Sequence, residues 1–425
     1  MRVELPIDMQ FSAAEAGGKP ALVLADPGTL AAVPEFLSLA TWYSPVKPVI
    51  GCEIIAMGSN IILLAKNREG YINLVKLVSL AKIGGAGAEL PVLGSRMMGK
   101  FRKGLICFLY DRDASLDVID RLMRWFKDDF YRIHRDTGFS SVVEFESFRE
   151  LFGLDTDGDC GPDMEEIVGK IELYDIFRPV EMPVFPIDTE IDKRILCWIR
   201  SDILDAGTYD RYGQVRELHF FVEMCYLCYL AFEGAKKIYG KQLPEDVKAR
   251  LVEELSIISW RGLPGYFLII QELVAWSRSQ GIEVAPCRWN SRASLVAYCL
   301  GITDTDPLRE GLKFSAFMRK NGRKMPDINV YLDAQGRWRV IDHLMEKYGA
   351  ANVGLVVTFK EDTGGDICAK GIHACSVLIG RRRLDDYLPV ETWREPVSGK
   401  RYLVSQYTSE YAEKTGVLQL DIIGQ

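Results

Sequence analysis

GLPGYFLIIQELVAWSRSQGIEVAPCRWNSRASLVAYCLGITDTDPLREGLKFSAFMRKNGRKMPDINVYL, from Gly262 to Leu332, is the stretch that decides how this chain is read. An apolar segment, Tyr266 to Trp276, leads to a short β-prone run, Ile282 to Val284. The tight turn APCRWNSRAS follows, then an apolar helix from Leu295 to Leu300. Met325 to Val330 alternates its faces as a strand does, so Asp327 and Asn329 are expected on one side. Two acids there would suit a divalent metal, because hard cations want clustered carboxylate oxygens. The second position holds the neutral Asn329. A solvated aspartate behind a proline would show the same local pattern.

The order of these motifs resembles the palm of bacterial DNA polymerase III alpha subunits, the C-family replicative polymerases. That palm carries a GFPGYFLIV-like helix, a GPGRGSGAGSLVAY loop, an ITDLDPL turn and an MPDFDVDF strand. Here stand GLPGYFLII at 262–270, APCRWNSRASLVAY at 285–298, ITDTDPL at 302–308 and MPDINVYL at 325–332. Order and spacing both match. Further on, Arg337 to Tyr348 reads as a helix and Val353 to Phe359 as a strand. Gly371 to Ile379, GIHACSVLI, looks like the family's GIHACGVII-like strand. The closing LQLDIIG looks like its KFDFLGL-like strand, which places Asp421 at the third catalytic acid.

The resemblance implies template-directed nucleotide addition, an in-line displacement served by paired Mg2+ ions held on shared carboxylates. Carried over, the acid positions are Asp327, Asn329 and Asp421, and a further acid of the DVDF strand is Tyr331. An amide at position 329 keeps the shape but loses a charge that each ion would feel. Asp327 and Asp421 remain as candidate metal ligands. The family's glycine-serine turn cradles phosphate through backbone N–H groups, an approach that glycine permits. Here it reads Cys287-Arg288-Trp289-Asn290-Ser291-Arg292-Ala293-Ser294, so Arg288, Asn290 and Arg292 are the phosphate-binding candidates. The family also places a helical thumb before the HACG-like strand. Only Lys360 to Ile372 stands there, a loop's length. The match ends before the family's fingers.

Upstream, residues 1–180 alternate strand-like and helix-like segments. Strands are expected at Pro20 to Asp26, Lys47 to Ala56, Asn60 to Lys66 and Gly104 to Tyr110. Helices are expected at Thr29 to Ala40, Arg68 to Lys82 and Ser115 to Lys127. Such alternation predicts an α/β domain with a mostly parallel sheet. The stretch is similar to the family's polymerase-and-histidinol-phosphatase (PHP) domain, which in active versions binds metals through His and acidic residues. Of those acids Asp26 and Glu53 stand here, whereas the histidine of the TDHG-like turn is Pro27. The neutral imidazoles that complete such shells are missing. Asp155, Asp157, Asp159 and Glu166 fall at calcium-loop spacing, but Cys160 replaces the required glycine, and an exposed acidic turn is the plainer reading. Glu172 to Pro186 is a proline-punctuated connector. Beyond it Gln214 to Tyr239 and Pro244 to Arg261 read as helices.

The 425 residues suffice for two or three domains, and 48% hydrophobic with 26% charged residues is an ordinary globular balance. A net charge of −7 argues against a large nonspecific DNA surface. Local basic candidates are Arg381-Arg382-Arg383 and the set Arg319, Lys320, Arg323 and Lys324; a solvated charged edge is the alternative. Ten cysteines without a disulfide rhythm fit a reducing, cytoplasmic compartment. The CxxC of Cys225 and Cys228 lies in an apolar run and reads as core packing. His373, in an apolar strand, reads as structural. No apolar core follows Met1-Arg2-Val3-Glu4, so no leader is expected, and Leu218 to Phe232 is too short and polar to span a bilayer.

The expected fold is α/β: a degenerate PHP-like domain over 1–180, then a nucleotidyltransferase-like palm, a mixed sheet with helices, over 181–425, with thumb and fingers missing. The expected function is that of a polymerase III alpha-like protein of DNA replication or repair, catalytically impaired and acting as a scaffold or regulator. Its partners would be replication or repair proteins and DNA, with no membrane. The alternatives are a reduced but active DNA polymerase using Asp327 and Asp421, and a phosphoesterase in the N-terminal half.

Overall fold

The computed structural model describes residues 11, 15, 21–40, 45–84, 92–111, 113–132, 142–144, 164–187, 207–210, 213–285, 289–322, 324–361 and 367–424. They fall into two units. The first combines 1–180 with 354–373 and 383–417, and the second combines 181–353 with 374–382 and 418–425. Asp155, Asp157 and Asp159 lie outside the described residues.

The first unit opens on β1 (Ala21–Pro27), α1 (Val33–Leu39), β2 (Lys47–Ala56) and β3 (Ser59–Ala65). Then come α2 (Arg68–Gly84), β4 (Val92–Leu93), α3 (Ser95–Lys100) and β5 (Leu105–Leu109). α4 (Leu116–Phe126), β6 (Phe130–Arg132), β7 (Val142–Glu144) and α5 (Met164–Gly169) complete this part. The sheet runs β6-β5-β3-β2-β1-β7, with β4 beside β2. Leu105 to Leu109 and Ile61 to Ala65 are buried at every position, as strands covered on both faces must be. The expected mostly parallel sheet is instead mixed. β1–β2, β2–β4 and β5–β6 are parallel, whereas β2–β3, β3–β5 and β1–β7 are antiparallel. Between β2 and β3 the cause is local: Met57 and Gly58 turn the chain with φ of 54° and 83°. A two-residue turn of that hand closes a hairpin, and parallel neighbours would need a long crossover.

The second unit contributes α6 (Leu218–Tyr239), α7 (Glu245–Arg261), α8 (Pro264–Ser279), β8 (Val284–Ala285), α9 (Leu295–Cys299), β9 (Val330–Leu332) and α10 (Ala334–Tyr348). The RGLP of the deciding stretch is a helix stop and start. Gly262 takes φ of 72° at the end of α7, and the Leu263 N–H reaches back to the Ile258 carbonyl at 3.1 Å, a left-handed cap that favours glycine. Pro264 then opens α8, where its missing N–H costs nothing. Tyr266 to Ile270 are all buried.

The chain continues through β10 (Val353–Glu361), β11 (Ile367–Ile379), β12 (Val390–Arg394), β13 (Arg401–Ser405), α11 (Ser409–Lys414) and β14 (Leu418–Gly424). Only residues 362–366 join β10 to β11, which leaves no room for a thumb. In the second unit β11, β14, β9 and β8 follow one another. β14 pairs antiparallel with β11, setting Ser376 opposite Asp421, and parallel with β9. In the first unit β12, β13 and β10 are neighbours. Stretches 354–373 and 383–417, grouped with the palm by sequence, thus cluster with the N-terminal sheet. Specific bonds tie them there. The Gln406 side-chain oxygen accepts the Leu30 N–H at 2.9 Å, and Ser79 accepts the Val390 N–H at 3.0 Å. The buried hydroxyls of Tyr71 and Tyr407 bond each other. Among the described residues no helix is long and apolar enough to cross a membrane.

Candidate functional site

The strand expected over 325–332 is regular only at Val330–Leu332. Pro326 has no N–H for a ladder, and a side chain takes the neighbouring backbone groups. The Tyr266 hydroxyl donates to the Pro326 carbonyl at 2.6 Å and accepts the Ile328 N–H at 3.1 Å. The alternation survives in extended form: Pro326 and Ile328 are buried, Asp327 is exposed and Asn329 half-buried. The Asn329 amide lies close enough to the Asp327 carboxylate to favour its charged form. The Asn329 side-chain oxygen is buried without a hydrogen-bond partner.

Asp421 sits on β14. The hydroxyl of the fully buried Ser376 donates to its Oδ1 at 2.9 Å. Ser376 occupies the place of the second glycine in the GIHACGVII-like pattern. Partial removal from water holds the Asp327 carboxyl above its usual range although the residue is exposed, and the charge of Asp421 adds to the rise. Lys324 and the Asn329 amide pull the other way. The structure therefore brings Asp327, Asn329 and Asp421 together. Two neighbours escaped the sequence reading. Cys375, its thiol pushed up by burial and by Asp421, lies near the Arg337 guanidinium. Arg337 is 6% exposed, and its Nε donates to the Ile422 carbonyl at 2.9 Å. Its Nη2 is buried without a hydrogen-bond partner. Tyr331, at the further acid position, is buried.

Paired magnesium ions ask for several carboxylates with open oxygens. The donor set here does not fit. Asp421 already accepts the Ser376 hydroxyl, and the position beside Asp327 holds a neutral amide in place of a second carboxylate. Among the described residues no three His, Cys, Asp or Glu side chains gather within reach of one ion.

At the expected phosphate turn, Arg288 lies outside the described residues and Asn290 is exposed on a single 3-10 turn, Trp289–Ala293. Arg292 is spent on Thr305, its Nε donating to the hydroxyl at 2.9 Å. The N–H groups that open α9 are also engaged. Ser294 caps the helix, and the buried Glu254 accepts the N–H of Leu295 at 2.9 Å and of Val296 at 3.0 Å. Glu254 further accepts the Ser294 hydroxyl at 2.8 Å and Arg250 Nε at 2.6 Å. A carboxylate of the chain itself thus fills the anion position that a helix start offers. Burial raises the Glu254 carboxyl, while the two N–H groups and Arg250 hold the rise in check. The signal was available in sequence, because Glu254 lies on the apolar stripe of Val247, Leu251, Leu255 and Ile258.

Most of the described basic candidates are partnered. Arg381 meets Glu217 at 3.2 Å, Arg382 meets Glu181 at 2.8 Å and Arg383 meets Asp385 at 3.0 Å. Lys320 lies 4.7 Å over the Trp260 ring, Arg319 and Lys324 are exposed, and Arg323 is outside the described residues. Cys225 and Cys228 stand on α6, the first buried with its thiol pushed up to about 11. His373 is half-buried on β11. In the first unit Asp26 is buried, and Glu53 accepts the Tyr110 hydroxyl.

Comparison with known proteins matches residues 225–364 to the bacterial DNA polymerase III alpha NTPase domain and residues 4–141 to the PHP domain. DNA polymerase III subunit alpha of Helicobacter pylori is 35% identical over 409 residues, covering 77% of this chain and 33% of that protein. The Caulobacter vibrioides subunit is 29% identical over 407 residues, 80% of this chain and 35% of its own length. The Escherichia coli K12 subunit is 26% identical over 420 residues, with 84% and 35% covered. The chain spans about a third of the length of these curated relatives. With both domains matched in order and similarity running through most of its residues, the chain belongs to the DNA polymerase III alpha family.

Proposed function

We propose that this chain acts in bacterial DNA replication or repair, in the cytoplasm, as a scaffold or regulatory partner with impaired nucleotidyl transfer. The reading is carried by the neutral Asn329 standing beside Asp327. Where two-ion chemistry needs an anion shared between cations, an uncharged amide neighbours the remaining carboxylate. The Ser376 bond to Asp421, the commitment of Arg292 to Thr305 and the short β10–β11 link support the same conclusion. The partners are replication or repair proteins, with DNA approached mainly through them. Mg2+, which the family relationship suggests, is held weakly. Primer extension with Mg2+ or Mn2+ tests the reading. No incorporation is expected, and the chain should co-purify with replication or repair proteins from its native cell.

The alternative of a reduced but active polymerase has one observation in its favour. Asp327 and Asp421 lie close enough for the charge of one to raise the carboxyl of the other, so they would share a single ion. Incorporation that disappears in both Asp327→Ala and Asp421→Ala would establish it.

A further inference from the structure

Away from these acids, the second unit carries a groove of about 650 Å3 where α6 ends and α7 begins. Gly240, with φ of 94°, turns the chain out of α6, and residues 241–244 lead into α7. Lys236, Lys241 and Lys248 line the groove with Glu245, while Phe232, Leu243 and Cys228 add apolar wall. Three ammonium groups therefore stand with two carboxylates, Glu233 and Glu245, in a chain whose net charge is −7. Lys236 pairs with Glu233 at 2.7 Å and Lys248 with Glu245 at 2.6 Å. Both are surface pairs one helical turn apart, worth a fraction of a kcal/mol and readily exchanged for an incoming anion. Lys241 has no ion-pair partner among the described residues.

The lining narrows the choice of ligand. A bare phosphate chain would leave the apolar wall unused. A nucleobase wants an open aromatic face to stack on, whereas Phe232 and Leu243, each 8% exposed, present only edges that a small aliphatic group can touch. An extended peptide bearing carboxylates and an aliphatic anchor uses both surfaces, and the volume lies in the range of ordinary ligand pockets. We infer that this groove docks an acidic peptide segment of a partner protein, its carboxylates on Lys236, Lys241 and Lys248 and an apolar side chain against Phe232 and Leu243. The inference rests on reading the chain as a scaffold, and it states the chemistry that the partner presents.

The test uses the full chain and a fluorescein-labelled peptide of alternating aspartate and leucine. Saturable binding by anisotropy is expected, weakened by salt and lowered about tenfold or more by combined Lys236→Glu, Lys241→Glu and Lys248→Glu, as close charge reversal requires. The single loop variant Lys241→Glu, which leaves both helices untouched, should weaken binding severalfold. Peptide should also slow alkylation of Cys228 but not of Cys375, followed by mass spectrometry. No saturable binding, or binding indifferent to charge reversal, overturns the inference. So does displacement of the peptide from these lysines by an oligothymidylate, which would make the groove a nucleic-acid surface. A chain that extends primers yet binds the peptide loses the scaffold reading and keeps the groove. A triple variant that still co-purifies with its native partners, with the peptide failing to bind, loses the groove and keeps the scaffold reading.

Discussion

Tyr266 clasps the backbone on both sides of Asp327, its hydroxyl 2.6 Å from the Pro326 carbonyl and 3.1 Å from the Ile328 nitrogen. All three groups are buried. Tyr266→Phe would strand a donor and an acceptor together, at a cost of about 1–3 kcal/mol each when unsatisfied. Chemical denaturation should show a loss of about 2–6 kcal/mol, with faster exchange of the Ile328 amide. Unchanged exchange at Ile328 would show that the hydroxyl does not position Asp327.

Glu254 is the hub of the α9 start, accepting two N–H groups, a hydroxyl and a guanidinium. Glu254→Gln keeps the volume but replaces one acceptor oxygen by a donor, leaving Arg250 short of its counter-charge. Breaking a buried pair from one side costs about 3–5 kcal/mol. The variant should unfold at clearly lower denaturant, whereas Arg292→Ala, at an exposed position, should stay within about 0.5 kcal/mol of the parent.

Glu223 predicts a pH dependence. Burial raises its carboxyl from 4.5 to about 7, against the pull of the Phe185 N–H that it accepts at 2.7 Å. Between those values the folded chain binds a proton that the unfolded chain has released. Stability therefore falls as pH rises from 4.5 to about 7 and is flat above, a contribution of about 3 kcal/mol at most. Glu223→Gln, which still accepts the Phe185 N–H, should flatten that part of the profile. A parallel profile in the variant would remove Glu223 as its source.

Asn329→Asp adds a third carboxylate beside Asp327 and Asp421. Without metal the added repulsion should lower the melting temperature by about 2–4 °C for each kcal/mol lost. Mn2+ should then raise it, by preferential binding to the folded chain, whereas the parent should respond little. Calorimetric titration with Mn2+ gives the same comparison without reference to activity.

Much of the architecture is written locally. β2, β3 and α2 fall within two residues of where alternation and helical period put them, because each is a continuous run on a buried face. The pairing of Asp327 with Asn329 was legible from their spacing alone. The general rhythm of strand and helix does not encode the mixed sheet, in which a two-residue turn at Met57 and Gly58 sets β3 antiparallel to β2. The Ser376 bond to Asp421 depends on the register of two strands far apart in sequence. The clasp of Tyr266 depends on packing between a helix and an irregular segment. No periodicity encodes either.

The assignment of 383–417 to the first unit bears on how the protein is made. Leu30, Tyr71 and Ser79 leave the ribosome long before Gln406, Tyr407 and Val390, which complete their bonds. At about 5–20 residues per second, the roughly 310–380 residues in between take on the order of 15–75 s to translate. For that interval the nascent N-terminal half holds apolar and hydroxyl surface still waiting for its other half.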